Sequence, residues 1–216
     1  MYLIFSVLGL TGGLLCCVGD ILFDLKGKGN QKLGTSKNID SNWLKMADWR
    51  FGLSISLAMI GDALVGLGFY SIGMQIAETA PVLGYMTIGF GYFGSIAGVF
   101  IHAFVCLQAL IYKGAMKHGD LQTADDILEK LYKQITPTFF TGYITLMIPN
   151  VTVIIAILSG ALDVPIICVV LNPIVFLIIG VTCRKIDPVR FQDLPGIIMP
   201  SLGLSMFGLI GILNLI

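Results

Sequence analysis

Long apolar stretches alternate with short polar connections along the whole chain. A bilayer core about 30 Å thick requires roughly 20 apolar residues in a helix that crosses it. Six stretches meet this requirement, at residues 2–25, 51–77, 83–112, 137–161, 164–183 and 194–215. The pattern therefore predicts an all-α fold: a polytopic bundle of six transmembrane helices that forms a single domain over residues 1–216.

The composition supports this class. Hydrophobic residues make up 56% of the chain and charged residues only 12%, which is too apolar for a soluble domain of this length. The first stretch is predicted to be a membrane helix and not a cleaved signal peptide, because no Lys or Arg precedes it and its apolar run is long. The expected partner is the lipid bilayer, and no pattern typical of nucleic-acid binding is present.

The distribution of basic residues predicts the orientation. All 13 Lys and Arg residues lie in three connections, 26–50, 113–136 and 184–193. Basic residues near helix ends are retained on the cytoplasmic side, so these three connections are predicted to be cytoplasmic loops. With six helices, both termini then lie outside the cell membrane.

A carboxylic acid interrupts the second apolar stretch, in "LAMIGDALVGL". At 1.5 Å per residue, Asp62 and His102 each lie roughly 16 Å from the cytoplasmic end of their helices. Asn150 and Asn172 come to a similar depth by the same count. Four helices are therefore predicted to deliver polar side chains to one layer near the middle of the membrane.

Small residues share a helical face with the two titratable groups. Ala58 and Gly66 share the face of Asp62, and Gly94 and Gly98 share that of His102. Such faces allow close helix packing, so both side chains should face protein. An unpaired charge at the bilayer centre costs about 2.5–3.5 kcal/mol, which favours a coupled Asp62–His102 pair that shares a proton. The alternative is a polar clasp that only fixes helix packing.

Helix one carries a second acidic position. Asp20 and Asp24 share one face, with Asp20 roughly 8 Å deep and Asp24 near the headgroups. Two carboxylates are too few ligands for a metal site, and the five cysteines show neither metal nor redox spacing. No metal and no cofactor are expected.

Two further features concern the helices and loops. The segment "TADDILEKLYKQI" has a capping-box pattern at Thr123 and Asp126, which predicts a short interfacial amphipathic helix. Pro149, Pro173 and Pro200 predict kinks or breaks in helices four, five and six.

Short motifs resemble known families. "VGDIL" at 18–22 and "IGDAL" at 60–64 resemble the Gly-Asp segments of the bacterial lysoplasmalogenase-like membrane hydrolases. That resemblance implies that the acidic residues Asp20 and Asp62 serve in catalysis. "DSNWLKMADWRF", "LNPIVFLI" and "LPGIIMPSLG" are similar to an uncharacterised group of six-helix bacterial membrane proteins, which implies topology without a function.

Three functions follow as alternatives. The first is a membrane protein that binds or transports a small or amphipathic molecule, with Asp62 and His102 as its protonatable core and Asn150 and Asn172 as orienting groups. The second is an intramembrane lipid hydrolase in which Asp62 and His102 activate water and Asp20 assists. The third is an accessory protein whose polar cluster is purely structural. The sequence alone leaves the enzyme question and the oligomeric state open.

Overall fold

The computed structural model describes residues 1–197 and 201–216. Its helices are α1 (Tyr2–Asp24), α2 (Asp48–Ala77), α3 (Pro81–Met116), α4 (Leu121–Leu158), α5 (Pro173–Ile186), α6 (Leu194–Ile197) and α7 (Gly203–Leu213). A small antiparallel sheet pairs β1 (Lys32–Leu33) with β2 (Ile39–Asp40), with Leu33 opposite Ile39. Short 3₁₀ helices occur at Ser41–Lys45 and Ile166–Leu171.

The predicted all-α membrane fold is confirmed in its main feature. Within the two described ranges, four helices, α1 to α4, are long and apolar enough to cross a membrane. Each packs against the next along the chain, and α7 packs against α1 and α2. Helix α2 therefore packs against three other helices, α1, α3 and α7.

The last two predicted helices differ from the expectation. The stretch 164–183 divides into a 3₁₀ turn and α5, because Pro173 lacks a backbone N–H and begins a new helix. Asn172 caps that helix, with its side-chain oxygen accepting from the amide of Ile174 at 3.0 Å. The stretch 194–215 contains α6 and α7, and the break predicted at Pro200 lies outside the described residues.

Helix α4 is longer than predicted and begins in the expected loop. The segment predicted as a separate interfacial helix is its first part, and Pro137 lies inside the continuous helix. The capping box at Thr123 and Asp126 is wrong, because Asp120 is the N-cap and accepts from the amide of Thr123 at 2.8 Å. The Thr123 side-chain and backbone hydrogen bonds lower the pKa of Asp120.

Glycines set the close crossing of α1 and α2. A Cβ on Gly9 would lie 2.5 Å from Gly68 Cα, and a Cβ on Gly12 would lie 2.5 Å from the carbonyl oxygen of Gly61. Gly208 of α7 lies equally close to the α1 backbone. These contacts leave no room for a side chain, so the small residues allow three helices to approach at backbone distance.

The three basic connections meet at one end of the bundle. The segment 25–47, which we call the cap, joins α1 to α2. Its Lys26 amide donates to Asp193 after α5, at 3.3 Å. Its Thr35 amide donates to Asp125 in α4, at 2.6 Å. The cap therefore links the ends of helices that the sequence pattern also places on one side.

Candidate functional site: a polar cavity inside the bundle

A cavity of about 240 Å³ lies among the long helices, beside the chain that leads into α7. Most of its lining is apolar or glycine. The side chains that bring polar or titratable groups to it are Cys16, Asp20, Asp24, Asp62, His102, Tyr143 and Ser201. The structure thus brings three of the predicted site residues, Asp20, Asp62 and His102, to one cavity.

His102 is held by partners on both ring nitrogens. Its Nδ1 lies 3.3 Å from Asp20 Oδ1, and its Nε2 lies 2.6 Å from Ser54 Oγ. The Ser54 hydroxyl donates its proton to the Gly19 carbonyl at 2.8 Å. Ser54 Oγ therefore accepts from the ring, and the arrangement suits an imidazole that donates from both nitrogens.

Asp20 has a second partner besides the imidazole. Ser201 Oγ donates to Asp20 Oδ2 at 2.5 Å. Asp20 is only 5% exposed, so its two carboxylate oxygens are each satisfied inside the protein. A buried carboxylate is stable only with such partners, and His102 and Ser201 supply them from two different parts of the fold.

Asp62 lies in the same cavity, and no Lys, Arg or His nitrogen of residues 1–197 and 201–216 lies within 4 Å of its carboxylate. It is 6% exposed, and its polar neighbour is the thiol of Cys16. A Cβ on Gly98 would lie 2.9 Å from Asp62 Oδ2, so the glycine makes room for the carboxylate. The direct Asp62–His102 pair proposed from sequence is not formed, because the imidazole turns to Asp20 instead.

The two predicted asparagines lie together, but outside the cavity lining. Asn172 Nδ2 donates to the backbone carbonyl of Asn150 at 2.9 Å. Asn150 Nδ2 donates to the carbonyl of Leu146, which itself lines the cavity. Both asparagines are fully or almost fully buried and tie α4 to the start of α5.

An ionic cluster lies at the cap end of the cavity. Lys26 Nζ is 3.0 Å from Asp24, 3.8 Å from Asp40 and 3.9 Å from Asp193. Burial lowers the pKa of Lys26, but the three carboxylates outweigh it and raise the pKa above its ordinary value. Asp24, expected near the headgroups, thus lines the cavity and has Lys26 as its counter-ion.

Two apolar grooves lie on the side of the bundle, next to the cavity. A groove of about 730 Å³ between α3 and α4 is lined by residues that include Phe93 and Thr141. A second groove of about 480 Å³ shares both residues with it and shares Ala97 with the polar cavity. A Cβ on Gly142 would lie 2.9 Å from Ala97 Cβ, so α3 and α4 pack closely where the groove and the cavity adjoin.

The sequence reasoning missed Ser54 and Ser201. Ser54 precedes Asp62 by eight residues and lies on the same face of α2. Following that face two turns toward the N-terminus of the helix therefore leads to Ser54. Ser201 follows a proline-containing stretch and gave no periodic signal. Its contact with Asp20 depends on tertiary packing alone.

The contacts form a Ser–His–Asp series like that of a hydrolase triad, through Ser54, His102 and Asp20. Ser54 is fully buried and does not line the cavity, and its hydroxyl donates to Gly19. The serine therefore positions the ring and is not placed to attack a substrate. Among the residues that the structure describes, no group of three or more His, Cys, Asp or Glu side chains is arranged to hold a metal ion.

Comparison with protein families gives one match over the full length. A model described as a family of unknown function (DUF6796) matches residues 1–216. The search of curated proteins gave no match, and neither did the search of solved structures. The match supports the uncharacterised family expected from sequence, whereas nothing found supports the likeness to lysoplasmalogenase-like hydrolases or a bacterial origin.

Proposed function

We propose that this chain, which belongs to that family of unknown function, binds a small or amphipathic molecule at a protonatable site inside the membrane and carries it. The observation that carries the proposal is the cavity that Asp62, Asp20 and His102 line together. Titratable groups inside a membrane protein are costly and usually mark a substrate or proton path. A purely structural clasp needs no cavity beside it.

The surrounding fold supports carriage as well as binding. Broken helices beside a buried polar site are typical of transporters, because they free backbone groups and allow rearrangement. Here α5 follows a 3₁₀ turn, and α7 follows the Ser201 segment that contacts Asp20. The site thus lies against a part of the fold that is built from short segments.

We also propose the six-crossing topology with both termini outside. The segments 166–186 and 194–213 would supply the last two crossings in addition to α1 to α4. The clustering of all Lys and Arg residues in three loops supports this arrangement. The contacts of the cap with Asp125 and Asp193 are consistent with it, since they join all three loops.

A hydrophobic carbodiimide tests whether the cavity is reached from the bilayer. Dicyclohexylcarbodiimide partitions into lipid and modifies carboxylic acids there, so we expect an adduct on Asp62 in reconstituted protein. Mass spectrometry of peptides locates it. Asp62→Asn should remove the adduct, while Asp163→Asn, a change at an exposed carboxylate, should leave it in place. Absence of any adduct on Asp62 or Asp20 would contradict the proposal.

Lipid hydrolysis is a second candidate, favoured by one specific observation. Asp62 and His102 line one cavity that lies beside a lateral groove, and a carboxylate without a cation can act as a general base toward water. Purified protein would then release fatty acid from an acyl lysophospholipid, or fatty aldehyde from its vinyl-ether analogue, and Asp62→Asn would abolish release. Binding without product formation would favour the first function.

A further inference from the structure

The charges that face the cavity do not balance. Asp20 has His102 as its partner, and Asp24 has Lys26. Asp62 is the third carboxylate in the lining, and among residues 1–197 and 201–216 no Lys, Arg or His nitrogen lies within 4 Å of it. A buried carboxylate needs a proton or a cation, so Asp62 is to be neutralised by a group from outside the chain.

The shape of the protein surface next to Asp62 indicates which other chemical groups the bound molecule contains. The cavity shares Ala97 with the smaller apolar groove, and that groove shares Phe93 and Thr141 with the larger groove between α3 and α4. The volumes of the two grooves exceed that of the cavity, at about 730 and 480 Å³ against about 240 Å³. A small head in the cavity and an apolar chain in the groove would match both surfaces.

The hydrogen-bonding groups narrow the chemistry of the head. At the cavity Asp62 offers acceptor oxygens, while the donor nitrogens of His102 are taken by Asp20 and Ser54. An anionic head would meet the carboxylates that line the cavity, with the hydroxyl of Tyr143 as a donor in the described lining. An ammonium group supplies both the missing charge and N–H donors.

Resting on the function proposed above, we infer that the ligand is a single-chain amphiphile with an ammonium head. The ammonium lies against Asp62 and the alkyl chain lies in the groove between α3 and α4. When the cavity is empty, Asp62 carries a proton. Binding then exchanges that proton for the ammonium ion: the carboxylic acid O–H bond breaks, the proton leaves to water, and the carboxylate pairs with the ligand.

Equilibrium binding of three tritiated probes tests the charge of the head. Dodecylammonium, dodecanol and dodecanoate share one chain length, and empty phosphatidylcholine nanodiscs measure their partition into lipid. We expect saturable dodecylammonium binding at least tenfold tighter than either other probe. Asp62→Asn should weaken it about tenfold, and Asp163→Asn should leave it unchanged, because Asp163 is exposed.

Filling the groove tests the position of the chain. Gly89 lines the groove, and a Cβ there meets no atom within 4 Å, so Gly89→Phe fits without a backbone clash. We expect this change to weaken dodecylammonium binding severalfold and to leave butylammonium binding unchanged. Gly52→Phe on α2, where a Cβ also meets no atom, is the matched control.

Proton release gives an independent readout. In weakly buffered nanodiscs with a pH indicator, dodecylammonium should release close to one proton per bound molecule, and Asp62→Asn should abolish the release. Dodecanol or dodecanoate binding as tightly as dodecylammonium would overturn the ammonium class while leaving an amphiphile site. Absence of saturable binding by all three probes, with Asp62 still modified by carbodiimide, would overturn the inference and retain the accessible cavity.

Discussion

Ser54 fixes the His102 ring from the side opposite Asp20, through a contact of 2.6 Å to Nε2. A buried hydrogen bond contributes about 1 kcal/mol, and an unsatisfied buried group costs about 1–3 kcal/mol. Ser54 is therefore a positioning residue, and its loss should first change the orientation of the imidazole.

We predict that Ser54→Ala lowers the free energy of unfolding by about 1–3 kcal/mol and shifts the ¹⁵N signal of His102. His118 is exposed and serves as the internal reference, because the chain has two histidines. Ser56→Ala changes an exposed hydroxyl on the same helix and should alter neither quantity. An unchanged His102 signal in Ser54→Ala would contradict the geometry.

Gly98 is predicted to be essential for the position of the Asp62 carboxylate. In Gly98→Ala the new methyl group would lie 2.9 Å from Asp62 Oδ2, so the carboxylate must shift. We expect carbodiimide modification of Asp62 to fall severalfold. Gly114→Ala, on the same helix with no atom within 4 Å of the added methyl, should react like the wild type. Equal labelling in both variants would show that the two groups are not in contact.

The orientation of individual side chains was predictable where the small residues of one helix face indicated it. The small residues around Asp62 and His102 predicted correctly that both face the interior. The pairing of His102 with Asp20 was not predictable, because a depth counted along each helix separately does not give the shift of one helix against another.

At the scale of the elements, the α1–α2 crossing depends on glycine. Gly12→Ala would place a methyl group 2.5 Å from the carbonyl oxygen of Gly61, which is backbone and cannot rotate away. We expect a loss of about 1–3 kcal/mol in the free energy of unfolding, measured by titration with dodecyl sulfate. Gly52→Ala, where the methyl meets no atom, should be neutral or stabilising by up to about 1 kcal/mol.

The N-terminus of α4 is predicted to depend on pH through Asp120. The hydrogen bonds from Thr123 lower the pKa of this carboxyl, so its contribution is present above the ordinary value of about 3.8 and is lost as pH falls through the lowered value. Hydrogen exchange at the Thr123 amide should accelerate at that pH, and Asp120→Ala should accelerate it at neutral pH. Glu129→Ala, an exposed change, should not.

The elements were predicted well where a long apolar run defines a helix. They were predicted poorly where other interactions set the bounds. The continuous α4 contradicts a boundary at Pro137, because a proline ring is tolerated when neighbouring contacts compensate for one lost hydrogen bond. The small β1–β2 sheet also escaped prediction. Its two-residue strands are too short to show alternation, and the Lys32–Asp40 ion pair at 3.1 Å joins them across the register.

At the scale of the whole molecule, the charged cap and the apolar groove lie at different sides of the cavity. The cap joins the basic loops and covers one end of the cavity with the Lys26 cluster. The α3–α4 groove is apolar and lies on the side of the bundle. Under the proposed function, a molecule that enters from the bilayer meets the groove first and the carboxylate of Asp62 afterwards.

The most direct test of the account is the contact between His102 and Asp20 in lipid, because it places the imidazole at the cavity. Solid-state NMR with ¹⁵N-histidine and aspartate labelled with ¹³C at Cγ measures this dipolar contact, and His102→Gln assigns it. The structure, with Nδ1 3.3 Å from Asp20 Oδ1, predicts a contact that Asp20→Asn removes and Asp62→Asn retains. A contact that survives Asp20→Asn and disappears in Asp62→Asn, or no contact in the wild type, would contradict the proposed site.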